Sequence, residues 1–136
     1  MSRRLLLLAL VACVLPAACG GDASPTAPAG GRFAGEWSGT TFQNRPITFT
    51  VSGEKVTAVS VGYAFSGCSG VDTLTGLDHA ITSGFTQFGG SVGGGRAISV
   101  TIVFVADRTA NGGVVFYGPA ACGSTGDGGP FSASKR

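Results

Sequence analysis

The residues of this 136-residue chain with the most chemistry to offer are four cysteines, one histidine, seven carboxylates and a serine set among glycines. Gly89-Gly90-Ser91-Val92-Gly93 carries the letters of a nucleophile elbow. That device needs a strand before the serine, a helix after it, and a larger α/β domain to supply acid and base. Here Val92 is followed by Gly93, Gly94 and Gly95, a poor helix start, so a loop is expected. His79 stands beside Asp78, but neighbours on a strand point to opposite faces, and a turn histidine is expected instead. Glu36, Glu54, Asp72, Asp78, Asp107 and Asp127 are scattered, and nothing in their spacing marks the two converging carboxylates that glycoside chemistry requires. The run from Ser124 to Gly129 holds too few oxygen ligands for a calcium loop. No C-x-x-C is present, and His79 is not at ligand spacing from Cys68 or Cys122. The expectation is a protein without a catalytic constellation, metal site or cofactor.

The N-terminus says more about destination than these residues say about activity. Arg3 and Arg4 precede an apolar run from Leu5 to Leu15, too short for a bilayer core that needs about 20 apolar residues. It has the form of a signal-peptide core. Ala17 and Ala18 lead to Cys19 and then to a Gly/Ser/Pro/Ala stretch, and the whole resembles a bacterial lipoprotein precursor. The resemblance implies that the Cys19 thiol receives a diacyl (palmitate-type) anchor and becomes the mature N-terminus at the cell envelope. In that pattern a Leu stands three residues before the cysteine, whereas here Pro16 does. Leu10-Val11-Ala12-Cys13 fits by letter, but leaves an apolar core of only about eight residues. The alternative is cleavage after Ala18 or Ala23 without a lipid, giving a soluble secreted protein.

Three segments follow: residues 1–19 as signal with acceptor Cys19, 20–32 as a flexible Gly/Pro tether, and 33–136 as one domain. The tether has no large apolar side chain with which to offset the entropy of ordering. Arg3 and Arg4 account for the formal charge of +2, so the exported part is neutral, with its basic residues dispersed. Nucleic acid is not expected as a partner, since binding it requires clustered Lys and Arg to displace counterions. With Cys13 removed and Cys19 acylated, Cys68 and Cys122 remain in a disulfide-permissive compartment and are expected to pair. Closing a loop of about 55 residues would contribute about 4 kcal/mol on the chain-entropy account.

Residues 33–136 read as strands. In Ile47-Thr48-Phe49-Thr50-Val51-Ser52 the apolar side chains fall on one face of a pleat. Val59, Val61, Tyr63 and Phe65 do the same within Lys55 to Phe65, joined to the preceding strand by a turn at Ser52-Gly53-Glu54. Ala97 to Ala106 is apolar on both faces in its second half, as a central strand would be, and Asn111-Gly112-Gly113 is the strongest turn signal before Val114 to Tyr117. Gly35 to Phe42, Ala80 to Phe88 and Gly129 to Ser134 complete an all-β expectation. It comprises about seven antiparallel strands in a meander, as a small sandwich or partly closed barrel with one disulfide.

Gly35-Glu36-Trp37 places the chain's single tryptophan in the first strand. Gly-x-Trp there resembles the opening of lipocalin-like and streptavidin-like barrels, which makes Trp37 the one ligand-binding candidate, against its reading as a plain core anchor. Trp37-Ser38-Gly39-Thr40-Thr41, the Phe-Thr-Val strand, Gly67-Cys68-Ser69-Gly70 and a second cysteine near the C-terminus resemble small uncharacterised exported bacterial domains. Those commonly end in Trp-x-Ala, where Phe131-Ser132-Ala133 stands here, and the resemblance implies a shared fold without an activity. Two functions follow: a non-catalytic, envelope-anchored module that binds a partner or serves structurally, or a carrier of small apolar ligands. The membrane, through the lipid, is the one partner specified.

Overall fold

The computed structural model describes residues 30–65, 67–119 and 125–136, and every regular element among them is a β-strand. The strands are β1 (Gly35–Thr41), β2 (Pro46–Ser52), β3 (Lys55–Phe65), β4 (Cys68–Ala80), β5 (Phe85–Gly93), β6 (Arg96–Ala106), β7 (Thr109–Tyr117) and β8 (Thr125–Lys135). All neighbours pair antiparallel in one sheet of order β4-β3-β2-β1-β8-β7-β6-β5. Pairing of β1 with β8 joins the two ends of the meander, and the edge strands β4 and β5 come side by side across a seam without forming a ladder. The result is a nearly closed eight-stranded barrel, which has one strand more than expected and excludes a two-sheet sandwich.

The additional strand is β4. Its inward residues are Asp72 and Leu74, and a bulge opposite Val56–Ala58 shifts the register before Leu77 and His79, so the period-2 pattern is broken. Two further corrections share this origin. Ala80 to Phe88 is not one strand, because Thr82 and Phe85 bridge a two-residue turn at Ser83-Gly84, both with positive φ as a type I′ hairpin turn requires. Asn111-Gly112-Gly113 is not a turn but lies inside β7, and the chain reverses at Asp107-Arg108 instead. Gly112 is needed there for room: a Cβ would stand 2.0 Å from the Thr101 carbonyl oxygen and 2.5 Å from Phe131 Cζ.

Alternation decides what fills the barrel. Ile47, Phe49 and Val51 of β2 and Val59, Val61 and Tyr63 of β3 point inward as the pattern predicts, and they meet Ile98, Val100, Ile102 and Phe104 of β6. The wall of β7, β8 and β1 contributes small inward residues, Ala110, Ala133 and Gly39, which leave space for the rings of Trp37, Phe49, Phe104 and Phe131. Such pairing of small with large is how a barrel of this size closes over a filled interior. Outside, Val103 and Val105 are exposed, contrary to the expectation of a strand buried on both faces, because the barrel's outer surface meets solvent.

Candidate functional site

Among the described residues, large buried side chains pack the interior. At the end bearing the β2–β3 and β6–β7 turns, the segment before β1 folds across the opening and Phe33 stacks on Phe104 with ring centroids 4.4 Å apart. Trp37 lies beneath, fully buried, stacked on Phe49 at 5.5 Å and edge-on to Phe104 at 5.1 Å. Its Nε1–H donates to the Phe33 carbonyl oxygen at 2.9 Å, which occupies the only polar atom the indole possesses. Trp37 is thus the keystone of a sealed end, with the segment from Gly30 to Arg32 beside it rather than extended away. Arg32 pairs with Asp107, and Ala34 N–H donates to the Gly31 carbonyl at 2.9 Å. Above this plug an open depression of about 450 Å³ is lined by Arg32, Phe33, Glu54, Ile81, Ser83 and Phe104.

The opposite end carries Tyr63, Phe65 and Phe116 in mutual ring contact, with centroids 5.2 to 6.0 Å apart. Here the seam holds a charge pair that the sequence did not disclose. Asp72 of β4 points into the barrel and is buried, and the Arg96 guanidinium of β6 reaches across the seam to its Oδ1 through Nη2. The same guanidinium lies 4.7 Å over the Tyr63 ring, a cation–π contact. Its Nε is buried without a hydrogen-bond partner. Alternation misses this pair because Asp72 occupies an inward position that a hydrophobic residue would ordinarily hold; the signal was its place two residues before Leu74.

The residues with chemical potential are not brought together. Ser91 lies within β5, not in a loop, and its Oγ donates to the Arg96 carbonyl at 3.3 Å. His79 belongs to β4 rather than to a turn and stacks on Phe88 across the seam at 5.1 Å, while Asp78 faces outward to Lys55 Nζ at 2.6 Å. Among the described residues no group of three or more His, Cys, Asp or Glu side chains converges as metal ligands would. Cys68 opens β4 at the end where Phe65 meets Phe116, close to where the chain leaves β7. Cys19 and Cys122 lie outside the described residues.

The outer wall has a character of its own. Register aligns Thr109, Ser134, Ser38, Thr48, Ser60 and Thr73 in one row across six strands, with neighbours about 4.8 Å apart. Ser60 and Thr73 share a hydrogen bond of 2.5 Å. A second row runs Thr40, Ser132, Asn111, and a third holds Thr50 and Thr75. Among the described residues no charged side chain stands on either of the first two rows. No family model matches this chain, and neither does any curated protein or solved structure.

Proposed function

We propose that the chain is an exported, lipid-anchored and non-catalytic β-barrel module of the bacterial envelope, which binds a partner there or serves structurally. The observation that carries this reading is the filled interior: Phe33, Phe104, Trp37, Phe49 and Phe131 form a continuous series of ring contacts. Recognition is therefore assigned to the outer wall. The signal-like N-terminus and Cys19 support anchoring, and the dispersal of Ser91, His79 and the carboxylates supports the absence of catalysis. Cys68 and Cys122 are assigned to one disulfide, supported by the Phe65–Phe116 contact between the end of β3, just before Cys68, and the end of β7, which precedes Cys122 in sequence.

A second reading, a small apolar-ligand carrier, is favoured by one observation, since an eight-stranded meander barrel is an architecture that can hold one small ligand. Membrane fractionation of the Cys19→Ala protein tests the anchor: release into the soluble fraction is expected, and retention would refute it. Native mass spectrometry of protein purified from its host separates the readings. The mass of the acylated chain alone supports the module, and a retained apolar molecule supports the carrier.

A further inference from the structure

We propose that the groove between Phe42 and Asn111 on the outer wall is a binding site for a neutral glycan chain. This deepens the partner-binding reading and rests on it. The groove is an open depression of about 440 Å³ lined by Thr40, Phe42, Asn111, Gly112, Pro130 and Ser132, among others.

Phe42 is the anchor. Its N–H donates to the Pro130 carbonyl at 2.8 Å, which prolongs the β1–β8 ladder past Thr41 and holds Phe42 in the lining of the groove with Thr40. The ring is 38% exposed. It is seated on bare backbone: a Cβ at Gly129 would stand 2.5 Å from Phe42 Cγ. Any side chain at 129 would lift the ring, so the sequence reserves a place for it. Beside it, register sets Thr40 opposite Ser132 and Ser132 opposite Asn111. These two hydroxyls and one amide can each donate and accept, and none carries charge.

This lining selects a ligand class. A sugar ring has an apolar C–H face, which an aromatic ring covers, and an equator of hydroxyls, which neutral donors and acceptors satisfy. A charged ligand would find no counter-ion in the groove. An amphipathic helix would find one apolar anchor where it needs several along its face. The row from Thr109 to Thr73 runs parallel to the groove, two residues or about 6.7 Å along the strands, and extends the hydroxyl surface over three further strands, β2, β3 and β4. A chain of sugars, rather than a single one, fits that continuation.

The test is isothermal titration of the purified protein with three neutral probes, cellohexaose, maltohexaose and chitohexaose, and with hexagalacturonate as the charged control. Hydrogen-exchange mass spectrometry maps the contact. Binding of at least one neutral probe with Kd below about 1 mM is expected, with protection in the segments holding Phe42, Asn111 and Ser132. Phe42→Ala should weaken it about tenfold, equivalent to about 1.4 kcal/mol, and Phe42→Tyr should restore it. Asn111→Ala, which leaves Phe42 and its seat untouched, should weaken it about threefold and keeps the test decisive if Phe42→Ala proves unstable. Absence of binding by all three neutral probes, protection elsewhere on the barrel, equal affinity for hexagalacturonate, or substitutions without effect would each overturn the proposal. Fractionation of Cys19→Ala reads the module independently, so a groove that fails while anchoring holds refutes the glycan site alone.

Discussion

Replacing Arg96 tests whether the seam is held by charge. β4 and β5 share no ladder beyond the Thr82–Phe85 bridge at their connecting turn, so along the rest of the seam side chains make the closure: His79 meets Phe88, Leu74 lies against Gly90, and Arg96 at the start of β6 reaches Asp72. The Asp72 side chain is 3% exposed and that of Arg96 26%. Arg96→Met removes the cation and leaves a carboxylate buried without its partner, which costs about 3 to 5 kcal/mol. Methionine retains a thioether to lie against Tyr63, so the loss reports the charge more than the packing. Asp72→Leu is milder, about 2 kcal/mol, because the less buried guanidinium can turn towards water. In the double variant no charge is stranded and two apolar side chains fill the same space. Its stability should fall within about 1 kcal/mol of the parent, well above the additive expectation. Urea unfolding followed by circular dichroism measures all four proteins. With a slope of about 2 kcal/mol/M, a 4 kcal/mol loss moves the midpoint by about 2 M. A loss below about 1 kcal/mol for Arg96→Met, or a double variant that merely sums the singles, would refute the reasoning.

Two further expectations concern backbone room and covalent closure. Gly112→Ala should cost about 3 kcal/mol in the same assay, since its Cβ would meet backbone at 2.0 Å, whereas Gly113→Ala, where the nearest atom is 3.8 Å away, should change stability by less than about 0.5 kcal/mol. Equal effects at the two positions would refute the packing account. Alkylation of the denatured, unreduced protein should find no free thiol at Cys68 or Cys122, and quantitative labelling of both would exclude the bridge.

Where the sequence repeated every second residue, the fold was legible. β1, β2, β3 and β6 lie close to where alternation puts them, and the inward sets from Ile47 to Val51 and from Val59 to Phe65 were readable residue by residue. Legibility failed where a bulge or a glycine served packing rather than turning. β4 changes phase at its bulge, and Asn111-Gly112-Gly113 wears the letters of a turn because Phe131 demands an absent side chain. The Asp72–Arg96 pair and the hydroxyl rows were beyond reach for another reason. Each is made by register between strands, and period-2 patterns specify which face a residue takes but not which partner stands opposite.

The distribution of polarity then follows from the barrel's dimensions. Eight strands enclose an interior just wide enough for side chains to fill. Here Trp37, Phe49, Phe104, Phe116 and Phe131 fill it, so a carrier's cavity could come only by exchanging rings for small residues. Each such exchange costs about 3 to 5 kcal/mol, against a net stability of about 5 to 15 kcal/mol. Most of the large aromatics are thereby committed to the inside, while Phe42, Phe85 and Tyr117 stay exposed. On the outer wall charge is confined mainly to strand ends and turns, and Gly129 leaves the room that the Phe42 ring takes. Between those charged ends the wall presents rows of hydroxyls, so what it offers there is shape and neutral hydrogen bonding.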